Sequence, residues 1–216
     1  MAPPGVQFIT TRMPFRRSHL EDDRRIAEDV EMHAQFCADA CVDLMLFNCT
    51  AASLVLGPQA LNARIQAATG VRSVTTIEAV QDALRAVGAR RIALMTAYQP
   101  AVVEEEIHYL HGQGLEVVVS DGIPCDTPLE QGSIAPERWL EQARNLASTE
   151  GAADVDALLI SCAGIQLAPV LAEIEAMMGH PVVASNQAAL WKCLRLLGHR
   201  DAIPGHGRLL AGEFDE

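Results

Sequence analysis

Two cysteines, Cys49 and Cys162, have the clearest capacity for chemistry, because each ends a short apolar segment in the same sequence context. Residues 42–49 (VDLMLFNC) and residues 155–162 (VDALLISC) lie 113 positions apart, and four of their eight positions are identical. If each segment is a strand whose cysteine opens a helix, the helix N-terminus favours the thiolate form. We therefore expect two reactive thiols, the alternative being two buried cysteines that act only as small apolar side chains.

The repeat extends into the elements that must position these thiols. Residues 75–88 (TTIEAVQDALRAVG) match residues 185–198 (SNQAALWKCLRLLG), with four identities at an offset of 110. Each copy is predicted to contain a strand, the cysteine, a helix, a short strand and a second helix, which is the βα rhythm of parallel sheets. The sequence thus predicts two pseudo-symmetric α/β halves, one formed by residues 1–75 plus 185–216 and the other by residues 76–184. Ligands of open α/β sheets bind at the carboxyl ends of strands, where both cysteines lie.

A pair of thiols on opposite sides of one cleft supports two kinds of reaction. One sulfur can remove a proton from a carbon while the other returns a proton on the opposite face, or one sulfur can attack while the other protonates. Helix N-termini also bind carboxylates, so we expect a small acid as the substrate.

Composition excludes several other classes of protein. There are 28 acidic residues against 16 Lys and Arg, a formal net charge of −12, so binding to nucleic acid phosphates is not expected. No apolar run is long enough to span a membrane, and the segment MAPPGVQFITTR lacks the order of a signal peptide. The six cysteines lie mainly in predicted helices and strands, which is typical of reduced thiols in the cytoplasm.

Other candidate residues give weaker signals. His33, Cys37 and Cys41 are spaced to share one helix face, but with no fourth ligand evident we interpret them as a helix flank and expect no metal site. His108 and His111, next to the acidic run 104–106, are interpreted as a solvated helix face. Residues 121–136 are rich in Gly, Pro and Ser and are predicted to form a long loop over the site, with Cys125 as an ordinary loop residue.

Four segments carry a resemblance to a known superfamily: FNCTAAS (47–53), LMTAY (94–98), LLISCAG (158–164) and VVASNQAALW (182–191). Together they resemble the aspartate/glutamate racemase superfamily, especially its branch of maleate cis–trans isomerases and arylmalonate decarboxylases. The resemblance implies two Rossmann-like halves, each with helices on both faces of a parallel sheet, chemistry at their interface, and no cofactor. It also makes a homodimer the expected assembly.

The resemblance assigns roles to individual residues. Cys49 would attack the alkene of a maleate-like substrate to give a covalent thioether, and Cys162 would handle the proton while the carbon–carbon bond rotates. The residues expected to contact the substrate, through side chains or backbone N–H groups, are Asn48, Thr50, Ala51, Tyr98, Ala163 and Gly164. Tyr98 matches a tyrosine that hydrogen-bonds a substrate carboxylate in this branch, and Ala51 replaces a serine that is common there.

Three alternatives stay open at this point. Arylmalonate decarboxylases have glycine at the first cysteine position, so Cys49 disfavours decarboxylation. An amino-acid racemase would need a group for the substrate ammonium, for which Asp121 and Asp126 are the candidates. Only MAPPG precedes a segment that follows the first strand in relatives, so we expect either that the sequence begins at a late start codon or that the first strand is missing. A missing strand would allow an inactive relative that dimerises or binds small acids.

Overall fold

The protein is described by a computed structural model, which covers residues 1–215. Its strands form two parallel sheets, one of four strands and one of two, with helices packed against them. Within residues 1–215, no helix is both long and apolar enough to cross a bilayer.

The bounds of the elements are as follows. The strands are β1 (Met45–Phe47), β2 (Ser73–Thr75), β3 (Arg91–Thr96), β4 (Glu116–Gly122), β5 (Ala157–Ser161) and β6 (Val182–Ala184). The helices are α1 (Leu20–Arg25), α2 (Val30–Ala38), α3 (Thr50–Leu56), α4 (Pro58–Thr69), α5 (Thr76–Ala86), α6 (Pro100–Gly112), α7 (Pro128–Ser133), α8 (Pro136–Ala147), α9 (Leu171–Met178) and α10 (Ser185–Leu196).

The four-stranded sheet has the order β4-β3-β5-β6, and every pair is parallel. Every residue of β5 is buried, because a central parallel strand is covered on both faces and reads as a continuous apolar run. Thr96 at the end of β3 pairs with Ser161 at the end of β5. The segments that leave these two strands, and the one that leaves β6, therefore start side by side at one edge of the sheet.

The two-stranded sheet pairs β1 with β2, and it repeats the β5-β6 arrangement of the other half. In both copies the second strand runs directly into a helix, α5 after β2 and α10 after β6, and these two helices pack against each other. The predicted α/β fold with parallel sheets is confirmed. The residue boundaries of the halves and the missing first strand stay predictions; residues 1–19 form neither helix nor strand.

The structure corrects three local predictions. Cys162 does not open a helix, since turns occupy residues 163–165 and α9 begins only at Leu171. Residues 121–136 do not form one long loop, because Gly122 ends β4 and Pro128 begins α7. This helix is capped by the Thr127 and Glu130 side chains. Cys41 lies beyond the end of α2 in a left-handed conformation (φ 57°), so it does not extend the helix row of His33 and Cys37.

Candidate active site

One hydroxyl group connects the two cysteine segments. The Ser185 Oγ accepts a hydrogen bond from the Thr50 hydroxyl (3.0 Å) and another from the backbone N–H of Cys162 (3.2 Å). Thr50 follows Cys49 directly, and Ser185 begins α10 beside the end of β5. All the groups involved are buried, so these bonds lie away from competing water. Ser185 therefore holds both cysteines against the start of one helix.

Asn186 makes a second connection around the same point. Its side-chain amide donates to the carbonyl of Ala163 (2.8 Å) and accepts from the Asn48 side chain (3.5 Å). Asn48 in turn accepts from the Thr76 hydroxyl (3.0 Å). Asn186 and Thr76 occupy equivalent positions in the repeat, 110 residues apart, and both lie in the first turn of their helices, α10 and α5. Asn48, next to Cys49, and Ala163, next to Cys162, are thus linked through the Asn186 side chain.

The two thiols are held in their protonated form, contrary to the expectation of thiolates. Cys49 is the N-cap of α3 and partly exposed, and the N–H of Ala52 stabilises its sulfur, yet burial and the nearby Asp23 carboxylate raise its pKa well above the usual range. Cys162 is 4% exposed, and burial raises its pKa to about 12 despite a hydrogen bond from the Gly164 N–H (3.3 Å). Loss of solvation outweighs the helix terminus because α3 has only seven residues and water no longer supports the charge.

Tyr98 is buried two residues after β3, next to the segment that leaves β5. Its hydroxyl interacts with the Cys162 sulfur and favours the thiolate, while burial and the charges of both thiols raise the pKa of the phenol. Cys125 is also buried in this cluster and its charge disfavours the Cys162 thiolate, so it is not an ordinary exposed loop residue. The charge of Cys162 acts on Cys49, and the charges of both cysteines act on Tyr98, so the three side chains lie near one another.

Two buried carboxyl groups beside the thiols were missed by sequence reasoning. Asp23 and Glu106 are each 0% exposed, and burial is the main cause that raises the pKa of each to about 7. The Glu106 carboxyl accepts a hydrogen bond from Ser161 (2.5 Å), and its charge acts on Cys162 and Tyr98. His108 and His111 are exposed, as expected for a solvated face of α6, whereas Glu106 in the neighbouring acidic run points inward.

The substrate-contact residues predicted from the resemblance differ in their surroundings. The Thr50 hydroxyl and the Gly164 N–H already donate to Ser185 and to the Cys162 sulfur, and Ala51 is buried without a polar group. A cavity of about 220 Å³ opens beside Cys162 and Asn186; Cys49 is not among its lining residues. It suits a small ligand of a few carbon atoms.

The charges of the two ammonium-binding candidates do not act on Cys49, Cys162 or Tyr98. Asp121 and Asp126 are exposed, and their carboxylates accept hydrogen bonds from Gln142 and Gln99 respectively. Burial raises the pKa of Cys125, and the charges of Glu130 and Asp126 raise it further.

Comparison with known proteins identifies close relatives of this fold and site. Residues 2–210 match the profile of the arylmalonate decarboxylase family. The chain is 30% identical to maleate isomerase from Nocardia farcinica over 220 residues (96% of this chain, 85% of the relative) and 29% identical to arylmalonate decarboxylase from Bordetella bronchiseptica over 217 residues (99% and 88%). It also resembles a solved structure of a cysteine-to-serine mutant of Nocardia farcinica maleate cis-trans isomerase with a covalently bound succinylcysteine intermediate (TM-score 0.89, 26% identity, 97% of this chain and 88% of that chain).

Removal of the Ser185 hydroxyl is expected to destabilise the fold. Ser185→Ala leaves two buried donors, the Thr50 hydroxyl and the Cys162 N–H, without an acceptor, at a cost of about 2 to 3 kcal/mol in the free energy of unfolding. Urea denaturation measures this loss. The matched control is Ser148→Ala, which removes an exposed hydroxyl bonded to the Arg144 carbonyl and should change stability by less than about 0.5 kcal/mol. Equal effects of the two substitutions would contradict the role given to Ser185.

The buried Glu106 carboxyl is expected to make stability depend on pH. Its pKa is raised from 4.5 to about 7 in the folded chain, so the folded state holds the proton more tightly than the unfolded state. Stability from this group is therefore present at low pH and is lost as the pH rises from about 4.5 to about 7. Glu106→Gln, which keeps an acceptor for Ser161, should stabilise the protein by on the order of 3 kcal/mol at pH 8 and by little at pH 4.5. Denaturation curves at both pH values, with the exposed Glu104→Gln as control, test this; a gain independent of pH would refute it.

Proposed function

The chain belongs to the arylmalonate decarboxylase family, and from this membership we propose that it is a cofactor-independent isomerase of a small dicarboxylic acid that works through Cys49 and Cys162. The observation that carries the proposal is the convergence of both cysteine segments on the Ser185 hydroxyl. A relative with a covalently bound succinylcysteine supports the covalent route. A maleate cis–trans isomerase reaction is the leading form of the proposal.

The two thiols take different parts in this reaction. The Cys49 sulfur, which is partly exposed, adds to one alkene carbon, and the π electron pair moves to the neighbouring carbon. Cys162 is a neutral thiol at rest, so it supplies the proton that this carbon takes up. The bond between the two carbons is then single and rotates. Return of the proton to Cys162 and departure of the Cys49 sulfur give the trans alkene.

The thiol at position 49 disfavours decarboxylation, and the surroundings of Asp121 and Asp126 disfavour racemisation. A decarboxylase of the kind that has glycine there needs only the second cysteine. A two-cysteine racemase would use both thiols as proton carriers, but the proposed ammonium groups Asp121 and Asp126 are exposed and bonded elsewhere. An inactive relative is the remaining alternative.

The same proposal includes the cellular compartment and the partners of the protein. All six cysteines of the chain are unpaired, which suits the reducing cytoplasm. We expect no nucleic acid or membrane partner for a chain with a net charge of −12, and a homodimer stays an expectation from the resemblance.

Substitution of each cysteine should separate the two chemical roles. Cys49→Ala removes the nucleophile and is expected to abolish formation of fumarate from maleate. Cys162→Ser leaves a much weaker acid and base at this position, so carbon takes up its proton slowly from the Ser hydroxyl or from water and loses it more slowly still. The substitution should lower kcat by about 10² to 10⁴-fold while a succinyl adduct accumulates on Cys49. Proton NMR in D₂O follows turnover, and peptide mass spectrometry detects the adduct.

The same experiment includes aspartate, glutamate and phenylmalonate as competing substrates. Deuterium entering the amino acids without fumarate formation would establish a racemase, and phenylacetate would establish a decarboxylase. Cys41→Ser, a substitution of an exposed thiol outside the site, is the control and should keep full activity. Wild-type rates in either site variant would contradict the two-cysteine mechanism.

A further inference from the structure

Asp23 is a buried carboxyl group that the proposed reaction does not yet use. Its side chain is 0% exposed, and within residues 1–215 neither carboxylate oxygen has a hydrogen-bond partner. A buried charge without a partner is costly, and such groups cluster where function requires them. An exposed position would be the ordinary one for an aspartate in a short, highly charged helix such as α1 (LEDDRR).

The packing of α1 directs Asp23 at the nucleophile. Helix α1 packs against α3, whose N-cap is Cys49. One turn after Asp23, Ile26 and Ala27 belong to the apolar cluster that contains Ala52 and against which Cys49 packs. The carboxylate charge acts directly on the Cys49 thiol. Asp23 is therefore the carboxyl group beside Cys49, as Glu106 is the one beside Cys162.

In the proposed reaction the Cys49 thiol loses its proton, and no group has yet been assigned to accept it. Cys49 is protonated at rest, and a thioether forms only if the S–H bond is broken. Cys162 cannot accept this proton while it is itself a neutral thiol that donates to carbon. A carboxyl group whose pKa lies near neutral is well matched to such a transfer.

We propose that Asp23 is the base for Cys49, an inference that rests on the proposed function. As the sulfur adds to the alkene, the S–H bond breaks, the proton binds an Asp23 carboxylate oxygen, and the sulfur electron pair forms the bond to carbon. The π pair takes the Cys162 proton. On release, Cys162 recovers its proton from carbon, the C–S pair returns to sulfur, and Asp23 gives the proton back. Atoms and charge balance over the cycle, and no further reactant is needed.

The charged groups around this pair are few. On the same helix, the Asp22 carboxylate raises the pKa of Asp23 and is itself paired with Arg17 (3.2 Å). Helix α3 (TAASLVL) carries no charged side chain, and across the site the Cys162 thiol is the other group that acts on Cys49. Glu106, the other carboxyl group of the site with a raised pKa, acts on Cys162 and Tyr98 and not on Cys49, so a pH dependence of Cys49 near neutrality would come from Asp23.

The test is the pH profile of Cys49 alkylation by iodoacetamide, measured by peptide mass spectrometry without any substrate. If Asp23 takes the thiol proton, the wild-type rate should rise up to about pH 7 and then level off, because thiolate with protonated Asp23 becomes a constant fraction of the protein. In Asp23→Asn the rate should instead rise about tenfold per pH unit, as for an isolated thiol. Glu21→Gln, an exposed neighbour on α1, should keep the wild-type profile.

A second measurement addresses the reaction itself. In the Cys162→Ser background, Asp23→Asn should slow succinyl adduct formation from maleate by about 10²-fold at pH 7.5. Absence of any adduct would count against the proposed function, whereas the alkylation profile judges Asp23 independently of it. A wild-type profile that never levels off, or one whose plateau persists in Asp23→Asn or disappears in Glu106→Gln, would overturn the assignment. If Asp23→Asn does not fold, the wild-type and Glu106→Gln profiles together decide.

Discussion

The geometry of the site depends on one shared acceptor, the Ser185 hydroxyl. Cys49 and Cys162 come from different sheets, and nothing in either strand alone fixes the distance between them. Because the Ser185 oxygen accepts from Thr50 and from the Cys162 backbone, the start of α10 becomes the common reference for both segments. The packing of α10 on α5 then ties this reference to the equivalent helix of the other copy. A duplicated fold thereby produces a single site.

Burial determines the charge state of that site. Two thiols and two carboxyl groups lie together, and each has its pKa raised mainly by loss of solvation. A thiol and the carboxyl group that acts on it do not both ionise in a poorly solvated space, so each pair retains a proton. In the proposed reaction such a site moves protons within itself when a substrate arrives, and it needs no thiolate at rest. This differs from a reactive cysteine activated by a helix terminus, the picture that the sequence alone suggested.

Sequence reasoning found the fold and the two thiols because both follow from local patterns. The apolar runs ending in Cys49 and Cys162 identify strands and their carboxyl ends, and the repeat relates them. Asp23 and Glu106 escaped because each lies in a run of acidic residues, where pattern predicts a solvated face; only the packing of α1 and α6 decides which acid turns inward. Ser185 lies in one of the segments that carry the resemblance, but the sequence does not show which groups its hydroxyl contacts. Only the fold brings the Thr50 hydroxyl and the Cys162 N–H within hydrogen-bonding distance of it. The turns after Cys162 were missed since the repeat suggested a helix that the second copy does not form.

The two halves of the repeat supply equivalent thiols with unequal surroundings, and this difference accounts for the different roles proposed for Cys49 and Cys162. Cys49 is partly exposed, and its carboxyl neighbour has both oxygens without partners, so the sulfur can meet a substrate and Asp23 can take its proton. Cys162 is more deeply buried beside Tyr98, and its neighbour Glu106 is tied to Ser161. A thiol held in this way keeps its proton until carbon requires it. In the proposed reaction the same repeated element thus acts once as a nucleophile and once as an acid, because different helices pack against it.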